Sequence, residues 1–184
     1  MKLIGFTGKA GVGKSTMANK LINDPLFDHQ LSLLPFAAPL KRSLLELTGL
    51  RIEYFTDQSL KESKIEWLGM SPRELMQKFG TDFVRNTVHP EFWVMRMRER
   101  LKKCHHDVVI DDIRFDNEAA LVRENCGCLI HIIRDVPSVN NHKSENPVKY
   151  QKGDYNIYCD NLGITCTYTI IKHTIMEHFN GLYL

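Results

Sequence analysis

The chain has 184 residues, of which 43% are hydrophobic and 25% are charged, with 24 lysines and arginines against 22 aspartates and glutamates. This size and composition suit one globular domain with a proper core, and the net charge of +2 gives no support for a large nucleic-acid footprint. No run of eighteen apolar residues occurs, so we expect no membrane span. The five cysteines lack paired C-x-x-C spacing, which favours reduced thiols in a cytoplasm.

The first predicted element is a short apolar strand over Lys2–Thr7, which leaves no room for a signal peptide. A helix is predicted from Ser15 to Ile22. The residues between them fit the pattern G-x-x-x-x-G-K-[ST], and a glycine-rich turn in this position lets backbone N–H groups cradle phosphate oxygens. The sequence therefore predicts nucleoside triphosphate binding by Gly8, Lys9, Ala10, Gly11, Val12, Gly13, Lys14, Ser15 and Thr16.

Within this phosphate loop, two side chains have separate expected tasks. We expect Lys14 to reach the β- and γ-phosphates and the Ser15 hydroxyl to hold Mg²⁺. The alternative is a glycine turn that closes a hairpin.

The next elements in chain order are a strand and several helices. The run Leu31–Phe36 is strand-like, and a helix over about Pro39–Leu47 ends near Gly49. The segment Thr56–Leu101 is predicted to be largely helical. Within it, Ser71 as cap, proline at the first position and glutamate three residues after the cap begin a helix that should stop near Gly80. A further helix is predicted over about Glu91–Lys103.

The last third of the chain alternates strands, helices and one polar stretch. The predictions are a strand over Asp107–Asp112, a helix over Asn117–Glu124, a strand over Cys128–Ile133, a lid-like loop over Asp135–Asp154, a strand over Tyr155–Cys159 and a helix over Thr165–Phe179. Short apolar strands interleaved with helices indicate a parallel sheet covered on both faces. The fold class is thus α/β of the P-loop kinase type, a three-layer sandwich with five strands, a helical insert at about 50–104 and a short lid, in one domain over 1–184.

The strand that ends in aspartate supplies the second expected part of the site. A carboxylate beside the phosphate loop can hold Mg²⁺ directly or through water. Asp111 and Asp112 both qualify, but strand alternation would point them to opposite sides, so only one should face the metal readily. An ordinary Asp-rich turn is the alternative.

Four arginines lie near predicted element ends, where planar guanidinium groups could neutralise a transferring phosphoryl group. They are Arg73, Arg85, Arg114 and Arg134, the last at the edge of the lid-like stretch. Surface salt bridges are the alternative for each of them. The sequence lacks a guanine-reading N-K-x-D tetrapeptide, and its short domain with a polar loop favours a small-molecule kinase whose lid excludes water.

Several segments resemble motifs of the deoxynucleoside monophosphate kinases of bacteriophage type. The segments are Phe36–Lys41, Ser71–Asp82, His89–Val94 with Arg85 before it, Val109–Ala119 and the H-x-S-E stretch His142–Glu145. Two positions depart from the family pattern. Ala38 replaces an aspartate, and Asp111 replaces the proline that precedes the strand-end acid. The alignment makes Asp112 the first choice for the metal, with Asp111 in reserve.

The resemblance implies transfer of the γ-phosphate of ATP to a deoxynucleoside 5′-monophosphate. On that basis the catalytic candidates are Lys14, Arg85, Arg114 and Arg134, and the metal candidates are Ser15 and Asp112. The acceptor candidates are Phe36, Lys41, Arg73, Gln77, Arg85, Trp93, Asp112, Arg114 and Glu145. Core packing remains open for Phe36 and Trp93, and a solvated loop remains open for Glu145 and His142.

Two alternatives to this function stay open. One is a P-loop kinase acting on another phosphorylated acceptor, such as dephospho-coenzyme A or phosphomevalonate. The other is a P-loop ATPase or switch that is not a kinase. We expect a small-molecule partner and no nucleic acid or membrane partner, in a cytoplasm that would be the host's for a phage protein. A homodimer stays open, although no heptad repeat or apolar stripe argues for one.

Overall fold

The computed structural model describes residues 1–27, 31–136 and 142–179. Within them, five strands form one sheet. They are β1 (Leu3–Thr7), β2 (Leu31–Leu33), β3 (Asp107–Ile113), β4 (Cys128–Ile133) and β5 (Tyr155–Tyr158). Their order is β2-β3-β1-β4-β5, and every neighbouring pair is parallel. The predicted five-stranded parallel sheet is confirmed, and β1 lies at its centre with all strand carboxyl ends at one edge.

Helices account for most of the remaining described residues. They are α1 (Lys14–Ile22), α2 (Ala38–Thr48), α3 (Glu53–Thr56), α4 (Gln58–Glu62), α5 (Pro72–Gln77), a π-helix (Lys78–Val88), α6 (Phe92–Leu101), α7 (Asp116–Glu124) and α8 (Ile164–His178), with 3₁₀ turns at Pro25–Phe27 and Lys143–Glu145. The chain divides into two compact units. We call residues 1–35 and 98–184 the sheet unit, and residues 36–97 the helical unit.

The core of the sheet unit follows from alternation along β1. Ile4 and Phe6 are fully buried in an apolar cluster with residues of α1 and α8. The intervening Gly5 lies on the opposite face, where a Cβ would come 3.0 Å from the Val122 side chain of α7. Successive strand residues therefore bury themselves against helices on both faces.

In the helical unit, α5 begins as the sequence predicts. The Ser71 hydroxyl accepts a hydrogen bond from the Glu74 backbone at 3.2 Å, and the Glu74 carboxylate accepts one from the Ser71 backbone at 2.8 Å. These two bonds satisfy N–H groups that the first turn of a helix otherwise leaves without partners.

The predicted stop of this helix near Gly80 is wrong. The chain continues from α5 directly into the π-helix, which extends to Val88. Gly80 is needed for close packing, because a Cβ there would lie 2.8 Å from Cδ2 of Leu40. A glycine that admits a neighbouring side chain has the same sequence signature as a glycine that ends a helix.

Two strand ends also differ from the prediction. β2 stops at Leu33, short of the predicted Phe36, because Pro35 has no N–H with which to continue a ladder. β3 continues to Ile113, so Asp111 and Asp112 lie within the strand and not at its end. The other predicted elements agree with the structure to within a few residues, and Cys128–Ile133 matches β4 at both ends.

The predicted lid-like stretch Asp135–Asp154 is described only in part, since residues 137–141 lie outside the described ranges. Its described part contains the 3₁₀ turn Lys143–Glu145 and an isolated bridge between Lys152 and Asp154. All five cysteines are free thiols. Among the described residues, no helix combines the length and apolar character needed to cross a membrane.

Candidate active site

The phosphate-loop sequence lies in the structural context that its mechanism requires. It joins the carboxyl end of β1 to the first residue of α1, Lys14. Its glycines at 8, 11 and 13 adopt φ angles of 140°, 82° and 102°. At Gly8 the space is also restricted, because a Cβ would lie 2.4 Å from the Ile132 carbonyl oxygen. The side chain of Val12 is buried in the core and anchors the loop from beneath.

Lys14 is buried and lies across this loop. Its Nζ donates hydrogen bonds to the carbonyl oxygens of Gly8 at 2.8 Å and Lys9 at 2.7 Å. Burial, with a smaller contribution from the positive charge of Arg114, lowers the pKa of Lys14 from 10.5 to about 7. Nearby carboxylates oppose this shift without cancelling it. The surroundings that lower this pKa favour additional negative charge beside the amine.

Asp111 and Asp112 lie at an irregularity in the central strand pair. The register between β1 and β3 runs from Gly5 opposite Ile110 to Thr7 opposite Ile113, so two residues of β3 face one residue of β1. Such a bulge interrupts strict alternation, which was the basis for expecting the two side chains to point to opposite sides. Both carboxylates are near enough to Lys14 to raise its pKa.

Arg114 follows β3 and is held at both its backbone and its side chain. Its backbone N–H donates to Glu118 Oε2 at 2.7 Å, and the same oxygen accepts from the Phe115 N–H at 3.2 Å. Its guanidinium Nη1 lies 3.4 Å from the Gly8 carbonyl oxygen and 3.3 Å from Glu145 Oε2. The structure thus brings three predicted site residues, Lys14, Arg114 and Glu145, into one group.

Glu145 belongs to a short turn stabilised by the residue at its start. His142 Nδ1 accepts a hydrogen bond from the Ser144 backbone at 3.1 Å and lies 2.9 Å from the Ser144 hydroxyl. The Glu145 side chain is only 10% exposed. The alternative that Glu145 lies in a solvated loop is therefore wrong.

Arg134 directly follows β4, which pairs in parallel with β1, so its backbone lies at the same edge of the sheet as the phosphate loop. Its Nε is buried and makes no hydrogen bond within the described part of the chain. Ser15 and Thr16 lie in the first turn of α1 and are exposed to solvent.

The remaining candidates belong to the helical unit. Arg73 and Arg85 are both 8% exposed. The Arg73 Nε donates to Glu62 Oε1 at 2.5 Å, so the salt-bridge alternative applies to it, although the arginine is far more buried than its partner. The Arg85 Nη1 donates to the Pro90 carbonyl at 3.3 Å.

Two aromatic candidates in this unit are buried. Phe36 is 5% exposed and Trp93 is 9% exposed. The Trp93 indole N–H donates to the Gly80 carbonyl at 2.9 Å, so this side chain has at least a structural task. Lys41 and Gln77 are half-buried.

Sequence reasoning missed Glu118. This residue is 3% exposed and fixes the backbone where β3 passes into α7. Its signal was available, because a glutamate in the first turn of a predicted helix reaches back to unsatisfied N–H groups before that turn.

Comparisons with known proteins agree with this geometry. A family model described as deoxynucleotide monophosphate kinase matches residues 51–164, a range that contains Arg73, Arg114 and Glu145 but not the phosphate loop. A protein of Acanthamoeba polyphaga mimivirus, described as a deoxynucleotide monophosphate kinase, is 35% identical over 162 residues, which cover 79% of this chain and 81% of that protein. The deoxynucleoside-5′-monophosphate kinase of Escherichia phage T5 is 32% identical over 135 residues, which cover 71% of this chain and 50% of that protein.

Proposed function

The chain belongs to the deoxynucleotide monophosphate kinase family, and we propose that it transfers the γ-phosphate of ATP to a deoxynucleoside 5′-monophosphate. The products are ADP and the deoxynucleoside diphosphate. The observation that carries this proposal is the pairing of the family match with an intact phosphate loop, which lies outside the matched range and supports it independently. Neither another phosphorylated acceptor nor a non-kinase switch is favoured by this family membership.

The donor binds at the phosphate loop of the sheet unit. Residues 8–16 supply backbone N–H groups and the Ser15 and Thr16 hydroxyls, and the N-terminal end of α1 adds a favourable dipole. Lys14 turns its ammonium from the loop carbonyls to the β- and γ-phosphate oxygens. Since an anion there favours the charged amine, donor binding restores the pKa of Lys14 toward its ordinary value.

The oxygen donors beside the loop fit Mg²⁺. The ion prefers hydroxyl, carboxylate, phosphate and water oxygens, and in nucleotide sites it usually takes only one or two ligands from the protein. Ser15 with Asp112 meets this need, and Asp111 on the same bulge is the second carboxylate candidate. When bound, the ion neutralises charge on the β- and γ-phosphates.

The acceptor is held by the helical unit. Its buried arginines Arg73 and Arg85 carry the charge needed to bind a monophosphate. Phe36, Gln77 and Trp93 bound the base by packing and hydrogen bonding, and Lys41 adds a cation on the first turn of α2. The Trp93 contribution includes fixing the Gly80 carbonyl at the start of the π-helix.

The chemistry requires positioning more than proton transfer. The attacking group is an anionic oxygen of the acceptor monophosphate, which forms a bond to the γ-phosphorus as the bond to the bridging oxygen of ATP breaks. No general base is needed, and catalysis comes from holding the two phosphates together and neutralising the charge. In the sheet unit, Lys14 and Arg114 supply this charge at the phosphate loop, and Arg134 adds to it from the edge of the lid-like stretch. In the helical unit, Arg85 neutralises charge on the acceptor phosphate.

The five free thiols are typical of a reducing compartment, which supports a cytoplasmic site of action. For a protein with viral relatives, this is the cytoplasm of the host.

The test is a coupled assay of ATP consumption with Mg²⁺ against all deoxy- and ribonucleoside monophosphates, dephospho-coenzyme A and phosphomevalonate, with a blank lacking acceptor. We expect at least one deoxynucleoside monophosphate to stimulate consumption well above the blank. Consumption that ignores every acceptor, or that responds only to dephospho-coenzyme A or phosphomevalonate, would contradict the proposal.

A further inference from the structure

Glu145 is a largely buried carboxylate that pairs with a cation beside the phosphate loop. Its side chain is 10% exposed, and its Oε2 lies 3.3 Å from Nη1 of Arg114. Glutamate is rarely buried to this degree unless it is paired. Burying these two charges costs free energy of desolvation. The position of the pair beside the phosphate loop indicates a functional reason for keeping it.

The guanidinium that Glu145 holds lies against a second cation. Arg114 Nη1 and Lys14 Nζ approach the same oxygen, the Gly8 carbonyl, at 3.4 Å and 2.8 Å. Two positive groups at one acceptor repel each other, and the Arg114 contact is the longer and weaker of the two. Glu145 supplies a negative charge to the same Nη1 atom, which offsets this repulsion and holds the guanidinium beside the loop.

The backbone of Arg114 is fixed by a different carboxylate, that of Glu118 at the start of α7. The segment that carries Glu145 is tied to the same helix. The Lys149 N–H donates to Asp116 Oδ1 at 2.8 Å, and Arg123 of α7 makes two hydrogen bonds to Asp154, at 2.9 Å and 2.7 Å. The backbone of Arg114 is thus tied to α7 directly, and its guanidinium is tied to α7 through Glu145 and the loop after residue 141.

The turn that presents Glu145 depends on His142. The imidazole Nδ1 caps the 3₁₀ turn Lys143–Glu145 by accepting a hydrogen bond from the N–H of its second residue, Ser144. Without this cap the Ser144 N–H would lose its acceptor. The turn would then depend on its backbone bond from the Glu145 N–H to the His142 carbonyl, and it would hold Glu145 less firmly.

We propose that Glu145, presented by the His142-capped turn, is a positioning residue that fixes the Arg114 guanidinium beside the phosphate loop. Its effect on phosphoryl transfer is exerted through Arg114. This assignment rests on the proposed function only for its kinetic consequence, because the position of the guanidinium can be measured without turnover.

The first test measures the Arg114 guanidinium directly. In ¹H–¹⁵N spectra of the full chain, the Arg114 Nε–H signal is assigned by its loss in Arg114→Met. We expect a sharp signal in the wild type that is broadened or lost in Glu145→Gln. The matched control is Glu124→Gln, which removes the exposed ion pair with Arg98, 2.6 Å long, in the same unit and should leave the signal unchanged. A signal that is unaffected by Glu145→Gln, or absent from the wild type, overturns the proposal.

The second test is a double-mutant cycle on kcat. We expect Glu145→Gln to lower kcat by about 10- to 100-fold with KM values changed by less than about threefold, since misplacement of a charge-stabilising group acts mainly in the transition state. In the Arg114→Met background the same substitution should have no further effect. Losses that multiply would mean that Glu145 acts independently of Arg114. A wild type that phosphorylates no monophosphate would refute the proposed function, while the spectra would still decide the positioning role.

The third test asks whether His142 acts by capping the turn or through another property of its imidazole ring. His142→Asn keeps an acceptor that can cap the turn, whereas His142→Ala does not. We expect His142→Ala to reproduce the Glu145→Gln spectrum and His142→Asn to restore the Arg114 signal. Equal loss in both variants would refute the capping role.

Discussion

Lys14 shows how a single side chain can be prepared for its ligand. Its Nζ is buried against the carbonyl oxygens of Gly8 and Lys9, and the Arg114 guanidinium contacts the Gly8 oxygen as well. These surroundings lower the pKa of Lys14 to about 7, so part of the population is neutral at physiological pH before the donor binds. Phosphate oxygens would reverse this effect by stabilising the charged amine.

The first prediction at this scale is proton uptake on donor binding. Because the pKa of Lys14 is lowered to about 7 in the free protein, binding of a non-hydrolysable ATP analogue at pH 7.5 should take up more protons in the wild type than in Lys14→Met. Calorimetry in two buffers of different ionisation enthalpy measures the difference. Equal proton uptake by the two proteins would mean that a group other than Lys14 takes up the proton.

The same shift predicts a pH dependence of stability. The folded pKa of Lys14 lies below its ordinary value, so the unfolded chain binds more protons between about pH 7 and pH 10.5. The free energy of unfolding should therefore rise with pH across this window in the ligand-free wild type relative to Lys14→Met. Urea titrations of both proteins at pH 7 and pH 9 test this, and a difference that stays constant or falls with pH would contradict it.

At the scale of elements, Gly80 allows the π-helix to lie close to α2. A Cβ at this position would come within 2.8 Å of Leu40 Cδ2. We expect Gly80→Ala to lower the free energy of unfolding by about 1–3 kcal/mol, because overpacking forces side chains from their preferred rotamers. In a Leu40→Ala background the added methyl group fills space, so its penalty should shrink or change sign. Denaturant unfolding of the four proteins gives the coupling, and an undiminished penalty would refute the packing explanation.

Elements were predictable from the sequence where one physical signal dominates. Cys128–Ile133 is an unbroken apolar run and matches β4 at both ends, and Ser71 with Glu74 located the start of α5. Gly80 misled because a packing glycine and a terminating glycine look alike in sequence. The bulge at Asp111 and Asp112 was also hidden, because it depends on the register with β1 and so on a partner distant in the chain.

Some residues of the site could also be predicted from the sequence, and others could not. Lys14 and its loop were predictable because a local motif determines their conformation. The contacts of Arg114 were not, since they join Gly8, Glu118 and Glu145, and only the fold brings these residues together. Trp93 was predictable only in part. Its large aromatic side chain is evident from the sequence, but its hydrogen bond to the Gly80 carbonyl is not.

At the scale of the whole molecule, we propose that the donor binds to the sheet unit and the acceptor to the helical unit. Substitutions should therefore separate kinetically. Lys14→Ala should remove most turnover while the protein stays folded, whereas Arg85→Ala should raise KM for the monophosphate by at least about tenfold, as expected for a lost charge-assisted contact. The KM for ATP should change far less in Arg85→Ala. Equal increases in both KM values would move Arg85 to the donor side or to a structural role.

The most direct test of the central claim follows the label of [γ-³²P]ATP in the presence of Mg²⁺ and the preferred deoxynucleoside monophosphate. We expect the label to appear in the deoxynucleoside diphosphate, in amounts equal to the ADP formed, and we expect Lys14→Ala to abolish this transfer. Label recovered as inorganic phosphate, with none in the nucleotide, would show hydrolysis in place of transfer and would contradict the account.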